Sequence, residues 1–128
     1  MRDMQPSAAE RLMQAGLERD RARFDADLGL IEERTDSGVF HPIREPFGYA
    51  YMLLQAEGDA ALPTVERIIR RALQAQERQA DHIHYGGFKW MDEDQGVTDL
   101  NAVQFVLEHL LPLWTSLCWS ETRSRHTG

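Results

Sequence analysis

The sequence predicts an all-α domain built of helical hairpins, and three observations predict it. Every strongly periodic apolar pattern in the chain has the 3.6-residue period of a helix. Glycine and proline punctuate those patterns at the positions where helices begin and end. In the long stretch 80–97 the periodicity vanishes, which makes it a loop, and its wealth of aromatics and histidine makes it more than a connector.

The elements follow in order. Ser7 and Glu10 have the spacing of a capping box, so a first helix starts there. Its apolar positions Ala9, Met13, Leu17, Phe24, Leu28 and Ile31 fall on one face, opposite arginines and acids, which describes a peripheral amphipathic helix. Thr35, Asp36, Ser37 and Gly38 signal a turn, and Pro42 and Pro46 make the segment up to Pro46 a crossing rather than a helix. A second helix is expected from about Pro46 to Glu57, stopped by Gly58. Phe47, Tyr49, Ala50, Met52, Leu53 and Leu54 make it apolar nearly all round, hence buried.

A third helix is expected over about Ala61–Gln79, with Leu62, Val65, Ile68, Ile69, Ala72 and Leu73 inward and Glu66, Arg67, Arg70 and Arg71 outward. The short link at Gly58 and Asp59 makes helices two and three an antiparallel hairpin. Thr98 or Asp99 caps a fourth helix running through Leu100, Val103, Val106, Leu110 and Leu113 to Leu117, with Pro112 expected to kink or end it. Burial thus alternates between outer and inner helices, as in two concentric layers. The whole of 1–128 reads as one helical domain with an ordered core over about 7–118, and 119–128 as a frayed tail or the point where a longer parent sequence is interrupted.

Composition bounds what such a domain can do. At 128 residues, 42% hydrophobic and 27% charged, the chain has the material for one core. A net charge of −7, with its arginines interleaved among acids, excludes a nucleic-acid surface, which needs a basic stripe. No segment has the roughly 18 uninterrupted apolar residues of a membrane span, and Met1–Glu10 lacks the apolar stretch of a signal peptide. The single Cys118 lies in an apolar run and reads as a buried structural thiol in a reducing compartment. A cytoplasmic location is therefore expected, and no cofactor is implied.

Three strings carry a resemblance: His41-Pro42-Ile43-Arg44-Glu45-Pro46-Phe47-Gly48-Tyr49-Ala50, then His84-Tyr85-Gly86-Gly87-Phe88-Lys89-Trp90, then Val97-Thr98-Asp99-Leu100-Asn101-Ala102-Val103-Gln104-Phe105. In this order and separation they resemble the N-terminal part of bacterial six-hairpin glycosidase-like proteins, the similarity covering roughly 12–114. The resemblance implies part of an (α/α)6 toroid, a ring of inner and outer helices around a cleft that commonly handles carbohydrate. Six hairpins need on the order of 300 residues at usual helix and loop lengths, so at most two fit here. Catalysis by this chain alone is not expected.

The candidate site is a polar and aromatic cleft of His41, Arg44, Glu45, Tyr85, Lys89, Trp90, Asp99 and Asn101. Tyr85, Phe88 and Trp90 offer flat faces for sugar rings or else plug the core. Lys89 is the only lysine and stands between two aromatics. The acids Asp92, Glu93, Asp94 and Asp99 invite a glycosidase pair, but neighbouring loop acids point apart, and Asp99 suits an N-cap better. Asn101 and Glu108 share a helix face. His41, His82, His84 and His109 show none of the tight spacings of a metal motif, so no metal ligand is assigned. The partner expected is thus a carbohydrate, neither nucleic acid nor membrane. The rival readings are a small helical interaction module that forms homo-oligomers or docks on a partner, and a four-helix bundle with a metal or small-molecule pocket.

Overall fold

The computed structural model describes residues 5–127, with side chains as far as Cys118. Helix α1, Ala8–Arg23, begins where the capping box places it: the Ser7 side chain accepts from the Glu10 backbone N–H at 3.1 Å. It stops well short of Ile31. Asp25 Oδ1 accepts from the N–H groups of Asp27 and Leu28, and Gly29 adopts a left-handed φ of 75°. This side-chain-closed turn competes with helical hydrogen bonding and reverses the chain.

The reversal creates two antiparallel ribbons. In the first, β1 (Phe24–Asp25) pairs with β2 (Leu30–Ile31). In the second, β3 (Glu33–Thr35) pairs with β4 (Gly38–Phe40) through the turn at Asp36 and Ser37. The all-α expectation, with helical hairpins forming part of a toroid, is overturned: helix is 56% and strand 12%, a mixed α/β architecture. The spacing of Phe24, Leu28 and Ile31 imitates a helix face, yet Ile31 is fully buried while Leu28 is 38% exposed, because Leu28 lies in the turn and Ile31 in the strand that follows it.

Helix α2, Arg44–Glu57, is the hub and packs against α1, α3 and α4. Phe47, Tyr49, Ala50, Leu53 and Leu54 are buried, and the helix ends on Gly58, whose φ of 62° costs an unbranched backbone nothing. A 3-10 turn, Gly58–Ala61, leads into α3, Leu62–Leu73, which buries Val65, Ile68 and Ala72. The third helix ends six residues earlier than its period suggests. Its continuation instead pairs with the loop: Lys89 N–H donates to Ala75 C=O, Glu77 N–H to Gly87 C=O and Gly86 N–H to Glu77 C=O, all at 2.9–3.1 Å.

Helix α4, Asn101–Thr127, carries Ala102, Val106 and Leu113 into the core against α2. Pro112 lies inside it and does not end it. Cys118 is exposed, contrary to the buried thiol expected, because the core-facing side of this helix at that level is taken by Leu113 and Leu117. The frayed tail expected over 119–128 involves side chains outside the described residues. Among the described residues, no helix is long and apolar enough to cross a membrane.

Candidate functional site

The segment 88–92 is not free. It lies antiparallel along 41–43, with Ile43 N–H donating to Trp90 C=O at 3.0 Å and Asp92 N–H donating to His41 C=O at 2.9 Å. Two side chains lock it there. Arg71 on α3 donates to both Asp92 oxygens at 3.2 and 2.7 Å, a bidentate pair, and Lys89 Nζ donates to Asp92 C=O at 2.8 Å. The lysine between two aromatics is therefore first a staple of its own loop.

Between this segment, the start of α2 and the start of α4 is a cleft of about 140 Å³. Arg44, Glu45, Lys89 and Trp90 line it, joined by Glu33, Met91 and Phe105. The Trp90 and Phe105 rings meet at 5.2 Å and a tilt of 51°, and the Arg44 guanidinium sits 5.3 Å from the Phe105 centroid. Trp90 Nε1–H donates to Asp99 Oδ2 at 3.2 Å while Asp99 Oδ1 accepts from Asn101 N–H at 2.8 Å. One carboxylate thus starts α4 and fixes the indole. Glu45 forms an ion pair with Arg23 from the end of α1.

Four of the eight residues singled out from the sequence therefore meet in the cleft, and Asp99 supports them through Trp90. The other three stand apart from its lining. Tyr85 is 58% exposed on the 80–87 loop, and Asn101 is exposed at the first turn of α4, as is Glu108 further along. Phe88 is a core residue, 4% exposed.

His41 is buried behind the cleft. Its backbone N–H donates to Glu93 Oε2 at 3.0 Å, and its ring Nδ1–H donates to Glu93 Oε1. Burial pushes the Glu93 carboxyl up, but these bonds from the His41 ring and backbone outweigh it and hold the group below its ordinary value. The opposite ring nitrogen, Nε2, lies 3.6 Å from Asp25 Oδ2 and is buried without a hydrogen-bond partner. Asp25, Glu32 and His41 each present a ligand atom, all within 4.8 Å of one another.

Asp25 and Glu32 were not singled out from the sequence, because helical periodicity hid the turn between them. The signal that locates them is Asp25 followed by Gly29, an aspartate and a glycine spaced to close a turn. No protein-family model matches the chain, and no curated protein or solved structure matches it at a significant level.

Proposed function

We propose that this chain is a binding domain whose cleft takes a single saccharide unit without cleaving it. The observation that carries the reading is Trp90, an aromatic face held in place by Asp99 and Phe105 with charged donors and acceptors at its rim. A sugar ring presents apolar C–H faces and a belt of hydroxyls, which need a flat partner and convergent polar groups. Arg44 and Lys89 balance Glu33 and Glu45 around the cleft, which favours a neutral polyol over a phosphorylated one. The volume is well below the roughly 300–1,000 Å³ of pockets for larger ligands, and suits one ring.

The test is a thermal-shift screen of the purified chain against mono- and oligosaccharides, followed by titration calorimetry on any hit. Arg44→Ala should then lower affinity at least tenfold with the fold intact. Failure of every neutral saccharide to shift the melting temperature, or affinity indifferent to Arg44→Ala, would sink the proposal.

A second reading has its own observation. Leu107, Leu111 and Trp114 are 39, 56 and 61% exposed and lie along one side of α4. Such a stripe is what a small interaction module would use to pair with another chain.

A further inference from the structure

The cluster at His41 is not explained by the cleft. Its members come from three places in the chain: Asp25 from β1, Glu32 from the corner between β2 and β3, and His41 from the residue after β4. Glu32 N–H donates to Arg23 C=O at 2.8 Å, which holds that corner beside the first ribbon.

The hydrogen bonding assigns the two nitrogens of the imidazole to different partners. An ionised carboxylate only accepts, so the Glu93 contact takes the Nδ1 proton and leaves Nε2 as the ring nitrogen that faces Asp25. The His41 side chain is 9% exposed, and Nε2 faces the Asp25 carboxylate, 3.6 Å away, without a hydrogen-bond partner. A buried imidazole nitrogen and a carboxylate oxygen at that distance are held together by positive charge between them, a proton or a metal ion. Asp25 Oδ1 is already committed to the N–H groups of Asp27 and Leu28 at 3.1 Å, which orients Oδ2 toward His41. Glu32 Oε1 is held by Arg34, but that arginine is 77% exposed, and so open a pair is weak enough to yield to a stronger partner.

We propose that Asp25, Glu32 and His41 bind one divalent transition-metal cation of the zinc or manganese type, with Glu93 as the positioning residue behind His41. A carboxylate on the far nitrogen of a ligating histidine fixes its tautomer and raises its basicity, which is the role Glu93 occupies. Ligands about 2.0–2.2 Å from a tetrahedral zinc lie roughly 3.4 Å apart, so the His41–Asp25 pair is already spaced for a shared ion. Glu32 completes the set by a side-chain shift. One imidazole nitrogen with two carboxylates selects a transition metal over calcium or magnesium, which prefer all-oxygen shells. The ion would tie the first ribbon to the segment on which the cleft loop rests, whether or not the cleft takes a saccharide.

The experiment uses the full chain, stripped with a chelator, titrated with Zn2+ and separately with Mn2+, Ca2+ and Mg2+ in the absence of any sugar. One equivalent of Zn2+ or Mn2+ should bind, and the melting temperature should rise and saturate at that ratio. Asp25→Asn and Glu32→Gln, both at partly exposed positions, should each weaken binding at least tenfold while circular dichroism stays unchanged. His82→Ala/His84→Ala, which removes the two half-buried histidines of the 80–87 loop, should leave it unaltered. No stoichiometric binding of either transition metal would overturn the proposal. Binding that survives Asp25→Asn and Glu32→Gln, or disappears with His82 and His84, or favours Ca2+ over Zn2+, would overturn it as well.

Discussion

Replacing Trp90 with alanine separates the indole's contribution to stability from its contribution to binding. Trp90 packs against the core but is only partly buried, so the roughly 3–5 kcal/mol of a fully buried tryptophan is an upper bound. Half of that, about 2 kcal/mol, is the share of lost apolar contact, including the tilted pair with Phe105. Losing the hydrogen bond to Asp99 adds about 1 kcal/mol, and no more, because Asp99 keeps its bond from Asn101 N–H. The expected cost is about 3 kcal/mol. In urea, with a slope of about 1.5 kcal/mol per molar, the midpoint should fall by about 2 M. Trp90→Phe keeps an aromatic face and should cost only about 1 kcal/mol, nearly all of it coupled to Asp99 in a double-mutant cycle with Asp99→Ala. If Trp90→Ala costs less than about 1 kcal/mol, or if Phe costs as much as Ala, the account of an indole anchored at both edge and face is wrong. Sugar affinity measured on Trp90→Phe then reports on stacking with the fold preserved.

Three further outcomes are expected. A Cβ on Gly48 would lie 2.9 Å from the His109 ring, so Gly48→Ala should destabilise by about 1–3 kcal/mol in chemical denaturation, and adding His109→Ala should recover much of that loss. Asp92→Ala removes the bidentate partner of Arg71 at a site about one-fifth exposed; it should cost about 1–2 kcal/mol, and hydrogen exchange should quicken at the Asp92 amide bound to His41. Leu111→Glu/Trp114→Glu breaks the apolar stripe on α4 and should abolish any concentration-dependent rise in mass by light scattering, without lowering the melting temperature.

The helices were legible where the signal was local. Ser7 and Glu10 mark the start of α1, Gly58 the end of α2 and Asp99 the start of α4, because a cap acts between residues only two to four apart. The apolar faces of α2 and α3 were readable because burial there repeats at the helical period. Asp25 was not legible in the same way. Its turn sits inside a run of apolar spacings that also fits a helix, and only the pairing of Phe24 with Ile31 and Asp25 with Leu30 resolves the ambiguity. The premature end of α3 has the same cause, since Ala75 and Glu77 exchange helical hydrogen bonds for bonds to the 86–89 segment about ten residues on.

The sequence by itself determined which residue types were available to a site: Trp90, Lys89, Arg44 and Glu45 beside an acidic loop, and a histidine ahead of Pro42. Tertiary structure alone decided which of them meet. Tyr85 and Trp90 are five residues apart, yet one faces solvent and the other closes the cleft, because the chain between them pairs with 75–77 while the chain after them pairs with 41–43. His41 and Glu93 are separated by 52 residues, and Asp25 and His41 by 16; their contacts are long-range pairings that no spacing along the chain encodes. Local hydrogen bonding is written in neighbouring residues, whereas the encounter of distant carboxylates with one buried imidazole depends on how the ribbons and the 90–94 loop pack together.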